Sequence, residues 1–561
     1  MEQVEDRLSN LPKIILHNIL SWLPKEDAAK TSVLSKAWLE TWYTFPNLSF
    51  CDFQFIRKSS QPVEDIVDTK VIGTFPQPKE DLPKNRNDFI DYVNTRLARF
   101  RKQRLAIKEF YLSVECFELS YMSKDVDLWL MLASESGVEV LEICNDPNND
   151  KEGRGECYVL PKSVIEAKSL TKLVLTGKIR VDQAFMNHSF QIFSLKELYL
   201  SNVHLEDEQA IKHLISYCPL IEIISLMLFH GSMNSLSMHG LQKLKMVYID
   251  GIKEVYIDEA PSIQSLYYLS HPLDTPFKVD FIRCKNLKEL TFSLINNNYI
   301  ITDNWFLELF AKFPFLETLD LQNCTMSEKI NISSVQLKEL KFSNCSNLKE
   351  ADIDAPNLEL CGFSCYDFDD SKPIISFLRI SSQLIVLVKI IVDYFNFCYM
   401  RELLQNIKHQ KVVIMVSLFI PKTTVDATNP MFLDISSPPP TPPPRIKHMH
   451  LLYILPKDET LCLDISVLVD YLLLYCVPET ISFSFDTSNR ALIEFLYEKL
   501  MKRKDEDCFC NSNNTKCWWH DLKDVTVTSS MKIHKNVDFK TILESLSTYA
   551  PDDYISFRLG F

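Results

Sequence analysis

Four residues near the end of the sequence have side chains that can bind a metal ion. Cys508, Cys510, Cys517 and His520 follow one another as C-x-C-x6-C-x2-H. Thiolate sulfur and imidazole nitrogen are ligands that Zn²⁺ prefers, but common zinc fingers place two to four residues between their first two cysteines. We therefore expect no metal here and interpret residues 502–516 as a hydrophilic loop. A metalloenzyme that uses this cluster is the alternative.

No other part of the sequence has the pattern of a catalytic site. It contains none of the short motifs of phosphate loops, dinucleotide sites, serine nucleophiles or zinc proteases. Glycine, which several of these motifs need, makes up only 10 of 561 residues. The 16 cysteines are scattered, and no spacing pairs one of them with a histidine as nucleophile and base. These observations predict a protein that is not an enzyme and has no cofactor.

The charge balance and the apolar stretches indicate the surroundings of the protein. The formal net charge is −14, whereas general binders of nucleic acid or anionic membranes are usually basic. Residues 1–6 lack the basic and apolar regions of a signal peptide. The longest apolar stretches, 384–392 and 412–420, are much shorter than the roughly 20 residues that span a bilayer. We expect an intracellular protein of the nucleus or cytoplasm, with reduced cysteines, that binds neither nucleic acid nor membrane.

Residues 8–50 carry many large apolar side chains at helical spacing. Apolar residues recur every three or four positions, which predicts an amphipathic helix over residues 13–23 and a second helix that Asp27 caps and that runs through Trp42. A segment of this length cannot bury so many apolar groups on one another. The excess marks either a surface for a partner or the first packed layer of the domain that follows.

This segment resembles an F-box. The motif positions are occupied by Leu11-Pro12, Ile15-Leu16, Ile19-Leu20, Leu23-Pro24, Val33-Leu34-Ser35-Lys36 and Trp38. The resemblance implies docking onto a Skp-type adaptor and, through it, onto a cullin–RING ubiquitin ligase. The adaptor contacts that it implies are Leu11, Pro12, Ile15, Leu16, Ile19, Leu20, Leu23, Val33, Leu34 and Trp38. The family usually has arginine directly before this tryptophan, and Ala37 in its place leaves open a degenerate F-box.

A second pattern, L-x-x-L-x-L with any apolar residue at its three fixed positions, recurs through the middle of the chain. The strictest copies lie at residues 195–200 and 316–321. One match has little weight in a chain that is 46% apolar, but successive copies mostly start 20–29 residues apart, as in leucine-rich repeats. The copies start at Val138, Leu170, Leu195, Ile221, Leu241, Ile263, Leu287, Leu316, Leu337 and Leu358.

Each copy predicts a short strand whose second and third apolar residues point inward while their neighbours point outward. One unit cannot bury its apolar residues by itself, so the units stack into a curved solenoid with the strands on its concave side. The outward side chains there are candidates for binding a target protein. Their mixed charges name no ligand, and they comprise Lys172, Glu197, Tyr199, Lys243, Lys245, Glu289, Thr318, Asp320, Glu339 and Lys341.

These patterns predict an α/β protein in which a small all-helical F-box precedes a curved leucine-rich-repeat solenoid. The predicted boundaries are 1–50 for the F-box, 51–87 for a linker, 88–370 for the repeats, and 371–561 for an irregular continuation of the repeats with a C-terminal cap. The last region contains a proline-rich loop at 436–445, whose PPPTPPP run must be extended.

An F-box followed by irregular leucine-rich repeats resembles the plant F-box/LRR-repeat proteins. The resemblance implies the substrate-recognition subunit of an SCF (Skp–cullin–F-box) E3 ubiquitin ligase, which holds an unknown target protein for ubiquitination and performs no bond chemistry. The alternative is a repeat scaffold with a degenerate F-box, independent of the ligase. A small molecule on the concave side is a further variant, although no residue pattern marks a pocket for it.

The metal content of the purified chain distinguishes the two interpretations of the Cys508–His520 segment. Because its spacing matches no common structural site, metal analysis of the full chain should find no stoichiometric zinc. About one zinc ion per chain, lost in a Cys508→Ser/Cys510→Ser variant, would contradict this expectation and revive the metalloenzyme hypothesis.

Overall fold

A computed structural model describes most of the chain, in two compact units. Unit 1 comprises residues 1–271 and 280–286, and unit 2 comprises residues 272–279 and 287–561. The residues that the structure describes are 8–9, 11–53, 55, 82–145, 156–181, 193–205, 208–227, 235–252, 254–270, 284–294, 299–365, 377–380, 385–392, 411–419, 445–454, 477–486, 490–501, 521–529 and 554–561.

Unit 1 begins with a helical segment that we call the N-terminal module, residues 8–46. Its helices are α1 (Lys13–Ser21), α2 (Lys25–Lys30) and α3 (Lys36–Tyr43). The second helix predicted from Asp27 through Trp42 is divided into α2, a 3-10 turn (Thr31–Val33) and α3, and Asp27 lies inside α2 instead of capping a helix. The Ser35 hydroxyl accepts a hydrogen bond from the Trp38 N–H at 3.3 Å, which caps the first turn of α3.

Strands and helices alternate in the rest of unit 1. The elements are β1 (Asn47–Cys51), α4 (Leu82–Gln103), β2 (Glu109–Ser113), a 3-10 turn (Leu119–Met122), α5 (Ser123–Glu135), β3 (Val140–Asn145), β4 (Tyr158–Val159), α6 (Lys162–Ile165), β5 (Lys172–Gly177), β6 (Ile179–Val181), β7 (Glu197–Ser201), β8 (His204–Leu205), α7 (Glu208–Ser216), β9 (Ile223–Met227), β10 (Ser235–His239), β11 (Met246–Asp250), β12 (Glu254–Asp258) and β13 (Ser265–Ser270).

The main sheet of unit 1 is parallel and runs in the order β1, β2, β3, β5, β7, β9, β11, β13. The register keeps like residues side by side: Leu173 of β5 is paired with Leu198 of β7, and Leu198 with Ile224 of β9. Burial alternates along the strands, so these apolar rows form one side of the core. Two smaller parallel sheets, β4–β6–β8 and β10–β12, belong to the same unit.

Helix α4 joins the N-terminal module to this sheet. Its Arg96 donates a hydrogen bond from Nη2 to the Trp42 carbonyl oxygen at 2.5 Å, and its guanidinium carbon lies 5.3 Å from the centre of the Trp42 ring. The guanidinium of Arg99 lies 3.9 Å from the centre of the Tyr43 ring. Cation–π contacts of partly buried arginines are stabilising. The module is therefore held to the repeats by specific contacts, and β1 begins directly behind it.

Unit 2 contains the remaining elements. They are β14 (Glu289–Leu294), β15 (Ile300–Ile301), α8 (Asp303–Lys312), β16 (Thr318–Gln322), β17 (Thr325–Met326), β18 (Lys329–Ser333), β19 (Glu339–Ser343), β20 (Glu350–Asp354), β21 (Leu360–Cys365), β22 (Phe377–Ile380), β23 (Ile385–Val392), β24 (Lys411–Phe419), β25 (Arg445–Ile454), β26 (Val477–Asp486), α9 (Arg490–Met501), β27 (Asp524–Ser529) and β28 (Tyr554–Gly560).

The main sheet of unit 2 is parallel from β14 through β16, β19, β21, β23, β24 and β25 to β26. Its last two strands reverse direction: β28 is antiparallel to β26, and β27 is antiparallel to β28. The predicted α/β class, with a helical module ahead of parallel strand repeats, is confirmed. The proline-rich run at 438–444 lies outside the described residues.

Truncation of Leu319 in β16 measures how strongly the stability of a strand depends on its neighbours. Its side chain is fully buried, between Leu290 of β14 and Leu340 of β19 in the register. Truncation removes buried methyl groups and leaves a cavity, so Leu319→Ala should lower the free energy of unfolding of this region by about 2–5 kcal/mol. Native-state hydrogen exchange of the β14 and β19 amides measures the loss.

The matched control is Thr318→Ala, one residue earlier on the same strand. The Thr318 side chain is outward and only half-buried, so its truncation should cost less than about 1 kcal/mol. Equal losses for the two variants would contradict the inward and outward assignment of these positions.

Candidate functional site

The N-terminal module has an apolar core of its own. Leu16 and Leu20 lie four residues apart and project from one side of α1, the side that packs on α3. Three residues that the F-box resemblance implies as adaptor contacts, Leu16, Leu20 and Trp38, are at most 4% exposed and hold the module together. The core comprises Leu16, Leu20, Ala28, Trp38 and Phe45, with Leu11, Ile19 and Trp42 packed against it.

A second set of apolar side chains in the module points away from this core. Trp22 is 88% exposed, Val33 84% and Ile14 71%. Side chains of this size, concentrated on a small module, mark an interaction surface. We call the set the apolar face: Ile14, Ile15, Trp22, Leu23, Val33 and Leu34. The predicted contact Pro12 is also exposed, next to α1.

Ile14 and Trp22 are members of the apolar face that the sequence analysis missed. The F-box motif positions flank these two residues and do not include them. The helical period could have identified Trp22. Ile15 and Trp22 are seven residues apart, about two turns of α1 and its cap, and therefore lie on one side of the helix.

The turn ahead of α3 presents two residues of the apolar face. Leu34 follows directly on the 3-10 turn, and its N–H donates to the Thr31 carbonyl oxygen at 3.0 Å, so Val33 and Leu34 are held at the surface by backbone geometry. Ala37 is half-buried in α3, and its carbonyl oxygen accepts a hydrogen bond from the Thr41 hydroxyl at 2.7 Å. Its methyl group offers none of the donors that an arginine would present there.

His17 lies on the inner side of α1 and supports the core. Its Nε2 is 3.3 Å from both the Thr41 carbonyl oxygen and the Thr44 hydroxyl. Burial lowers the pKa of His17, which favours the neutral imidazole inside the module. The module thus positions the apolar face with uncharged packing and hydrogen bonds.

A second candidate surface is formed by outward side chains of the parallel strands. We call the first and third residues of each main-sheet strand the ladder face of its unit; in β7 they are Glu197 and Tyr199, with Leu198 buried between them. Eight of the ten predicted concave positions belong to this set. They are Lys172, Glu197 and Tyr199 in unit 1, and Glu289, Thr318, Asp320, Glu339 and Lys341 in unit 2.

The structure corrects the other two positions, Lys243 and Lys245. The stretch LQKLKMVYI matches the repeat pattern in two frames, and the register selects the later one, in which Met246 is paired with Ile223 of β9. Both lysines precede β11. Lys245 lies at the edge of the sheet, where its Nζ is 2.6 Å from Glu222 Oε2. The ladder face of β11 instead carries Met246 and Tyr248.

The first two strands of the sheet were also missed by the sequence analysis. Both match the same pattern: Phe45, Leu48 and Phe50 around β1, and Ile107, Phe110 and Leu112 around β2 are all buried. The repeat pattern is present in the sequence at both strands, ahead of the first predicted copy at Val138. Phe45 belongs to the core of the N-terminal module as well, so the module and the first repeat share one residue.

Lys172 of the ladder face contacts both a carboxylate and an aromatic ring. Lys172 Nζ lies 2.9 Å from Glu142 Oε1 and 5.5 Å from the centre of the Tyr199 ring. The hydrogen bond to Glu142 raises the pKa of Lys172, with Glu197 and Tyr199 contributing. Carboxylate and tyrosine ring together therefore stabilise a positive charge on the ladder face of unit 1.

In the described part of the chain, no three His, Cys, Asp or Glu side chains are grouped to hold a metal ion, and no helix is long and apolar enough to cross a membrane. The cluster of Cys508, Cys510, Cys517 and His520 lies outside the described residues, so the expectation for it stays a prediction.

Comparison with known proteins matches two segments of the chain to family models. The F-box domain model matches residues 8–50, the segment that contains the N-terminal module. A model described as "FBD-associated F-box protein At5g56370, LRR repeats" matches residues 126–296.

The chain is similar to several curated proteins of Arabidopsis thaliana. The F-box/FBD/LRR-repeat protein At1g13570 is 29% identical over 272 residues, 47% of this chain and 54% of the relative. The F-box/FBD/LRR-repeat protein At1g78750 is 27% identical over 231 residues, 39% of this chain and 42% of the relative. The F-box/LRR-repeat protein At3g26922 is 26% identical over 352 residues, 61% of this chain and 94% of the relative.

The chain spans about half the length of the first two of these relatives. In this chain the F-box match lies ahead of the repeat match. The resemblance predicted from the sequence is confirmed: an F-box model matches residues 8–50, a leucine-rich-repeat model matches residues 126–296, and the chain is similar to plant F-box/LRR-repeat proteins.

Proposed function

We propose that this chain is the substrate-recognition subunit of an SCF-type E3 ubiquitin ligase. Its F-box docks onto a Skp-type adaptor, and the adaptor connects it to a cullin–RING ligase. The leucine-rich repeats bind a target protein. The chain itself is not an enzyme and needs no cofactor; it acts by bringing the target to the ubiquitin-transfer machinery, since proximity converts a bimolecular step into an effectively unimolecular one.

The observation that carries the proposal is the division of apolar side chains in the N-terminal module. Leu16, Leu20 and Trp38 already supply a buried core, so the module does not need Trp22 or Val33 for its own packing. Exposed apolar side chains of this size are favourable once a partner removes them from water, at roughly 25 cal/mol per Å². The apolar face is therefore the part of the module that we assign to the adaptor, together with Pro12 and the half-buried Leu11 and Ile19.

The proposed role places the site of action in the nucleus or cytoplasm.

Ala37 favours the second candidate, a repeat scaffold with a degenerate F-box. It stands where the family usually has arginine, and its side chain can donate no hydrogen bond to an adaptor. This candidate differs from the first only in whether the apolar face binds the adaptor, so one binding experiment separates the two.

The experiment is capture of the chain by a tagged Skp-type adaptor during co-expression. The full chain should be captured stoichiometrically. Val33→Ala/Leu34→Ala should weaken capture at least about tenfold, because truncating interface anchors commonly costs about 2 kcal/mol or more. Neither side chain belongs to the core, so the variant should keep the circular dichroism spectrum of the unchanged chain.

The matched control truncates two exposed apolar residues outside the F-box, Leu128→Ala/Met131→Ala on α5. They are 58% and 41% exposed, and their truncation should leave capture unchanged. If a folded full chain is not captured, or if both double variants lose capture equally, the ligase role is withdrawn and the scaffold remains.

A further inference from the structure

The corrected register of β11 changes the charge of the ladder face of unit 1. With Lys243 and Lys245 moved to the edge of the sheet, the main-sheet strands place only one basic side chain on this face, Lys172, against Glu109, Glu142 and Glu197. Lys172 is bound to Glu142 at 2.9 Å. Glu109 is exposed and forms no ion pair with a described residue, and Glu197 of β7 is the register partner of Lys172, so three carboxylates face one ammonium group. The charge left on this face is negative.

The other half of the same face is apolar and aromatic. Tyr248 of β11 and Tyr267 of β13 are paired in the register and stack with ring centres 4.0 Å apart at an angle of 4°. Met246 is 44% exposed, and Ile223 of β9 is half-buried beside it. Large aromatic and sulfur-containing side chains that stay accessible are typical anchors of protein interfaces. The strands β9, β11 and β13 thus present an apolar end, next to the acidic end on β2, β3, β5 and β7.

We infer that the ladder face of unit 1 binds an extended segment of the target protein that carries lysine or arginine at one end and large apolar side chains at the other. The inference rests on the proposed receptor role, because the segment is the part of the target that the repeats recognise.

The dimensions of the sheet set the length of this segment. Neighbouring strands lie about 4.8 Å apart, so the six steps from β2 to β13 span roughly 29 Å, the length of about nine extended residues. The basic end lies over β2 to β7 and the apolar end over β9 to β13.

Charge complementarity identifies the basic end of the occupant. Lys172 shows the arrangement from within the chain, with a carboxylate at one side of the ammonium group and the Tyr199 ring at the other. A lysine or arginine of the target would meet a carboxylate and a tyrosine ring at Glu109 and Tyr111, the first and third residues of β2, and a further carboxylate at Glu197. A net charge of −14 on the whole chain also repels acidic segments and nucleic acid.

The test uses a phage-displayed library of random nonapeptides, selected on the full chain immobilised by its own tag. Selected peptides should be enriched in lysine and arginine toward one end and in large apolar residues toward the other. Their synthetic versions should bind more weakly as salt rises from about 0.05 M to about 0.5 M, because partly exposed ion pairs are screened. Immobilisation without the adaptor separates this result from adaptor capture, so either proposal can fail while the other stands.

Charge reversal locates the binding. Glu109→Lys/Glu197→Lys should weaken binding of the selected peptides at least about tenfold, because like charges then face each other. The single variant Glu109→Lys changes an exposed position and is therefore the least able to disturb the fold. It should also weaken binding of the selected peptides. The matched control Glu135→Lys/Glu156→Lys makes the same charge change at exposed positions off the ladder face and should leave binding unchanged.

Three results would overturn the inference. They are selection of peptides without an excess of lysine and arginine, no selected peptide at all, and equal weakening by the ladder-face variant and its control.

Discussion

Every strand of the main sheets depends on burial by its neighbours. A strand such as β16 contributes two buried apolar side chains, Leu319 and Leu321, and the adjacent strands place Leu290 and Leu340 beside Leu319 in the register. Apolar area removed from water is the main favourable term in folding, so a strand is stable only inside the stack. The same constraint arranges the outward residues in straight rows, which is how unrelated side chains from distant parts of the sequence become one surface.

The N-terminal module buries only some of its apolar side chains. It is too small to bury all of its apolar residues, and it divides them between a core and a surface. Phe45 belongs to the core of the N-terminal module and also stands at the first position of the first repeat pattern, so the module and the repeats share this residue. Arg96 and Arg99 of α4 reinforce the joint through the Trp42 carbonyl and the Tyr43 ring. A receptor that must hold two partners at a useful distance needs such a joint, because proximity helps only when orientation is retained.

Much of this arrangement could be predicted from the sequence, and the errors have specific causes. The helical period placed α1 correctly, and the repeat pattern found the inward residues of strands such as β5, β7 and β16. The pattern failed at LQKLKMVYI, where Leu241 and Leu244 both fit its first position. Only pairing with Ile223 and Ser265 decides between the two frames, and a shift of three residues exchanges the side chains that reach the surface. The family motif likewise named Leu16 and Ile15 together without showing that one is buried and the other exposed.

The sequence by itself determined the order of the parts, the helical module and the repeating strands, because these follow from local periodicities of 3.6 and 2 residues. The tertiary structure decided which apolar residues of the module are left for a partner, since burial depends on what packs against each side of a helix. It also decided the charge of the ladder face, since the partner strands choose the frame of β11 and move Lys243 and Lys245 to the edge. Local pattern specifies the elements, whereas the surface that a partner meets depends on their register.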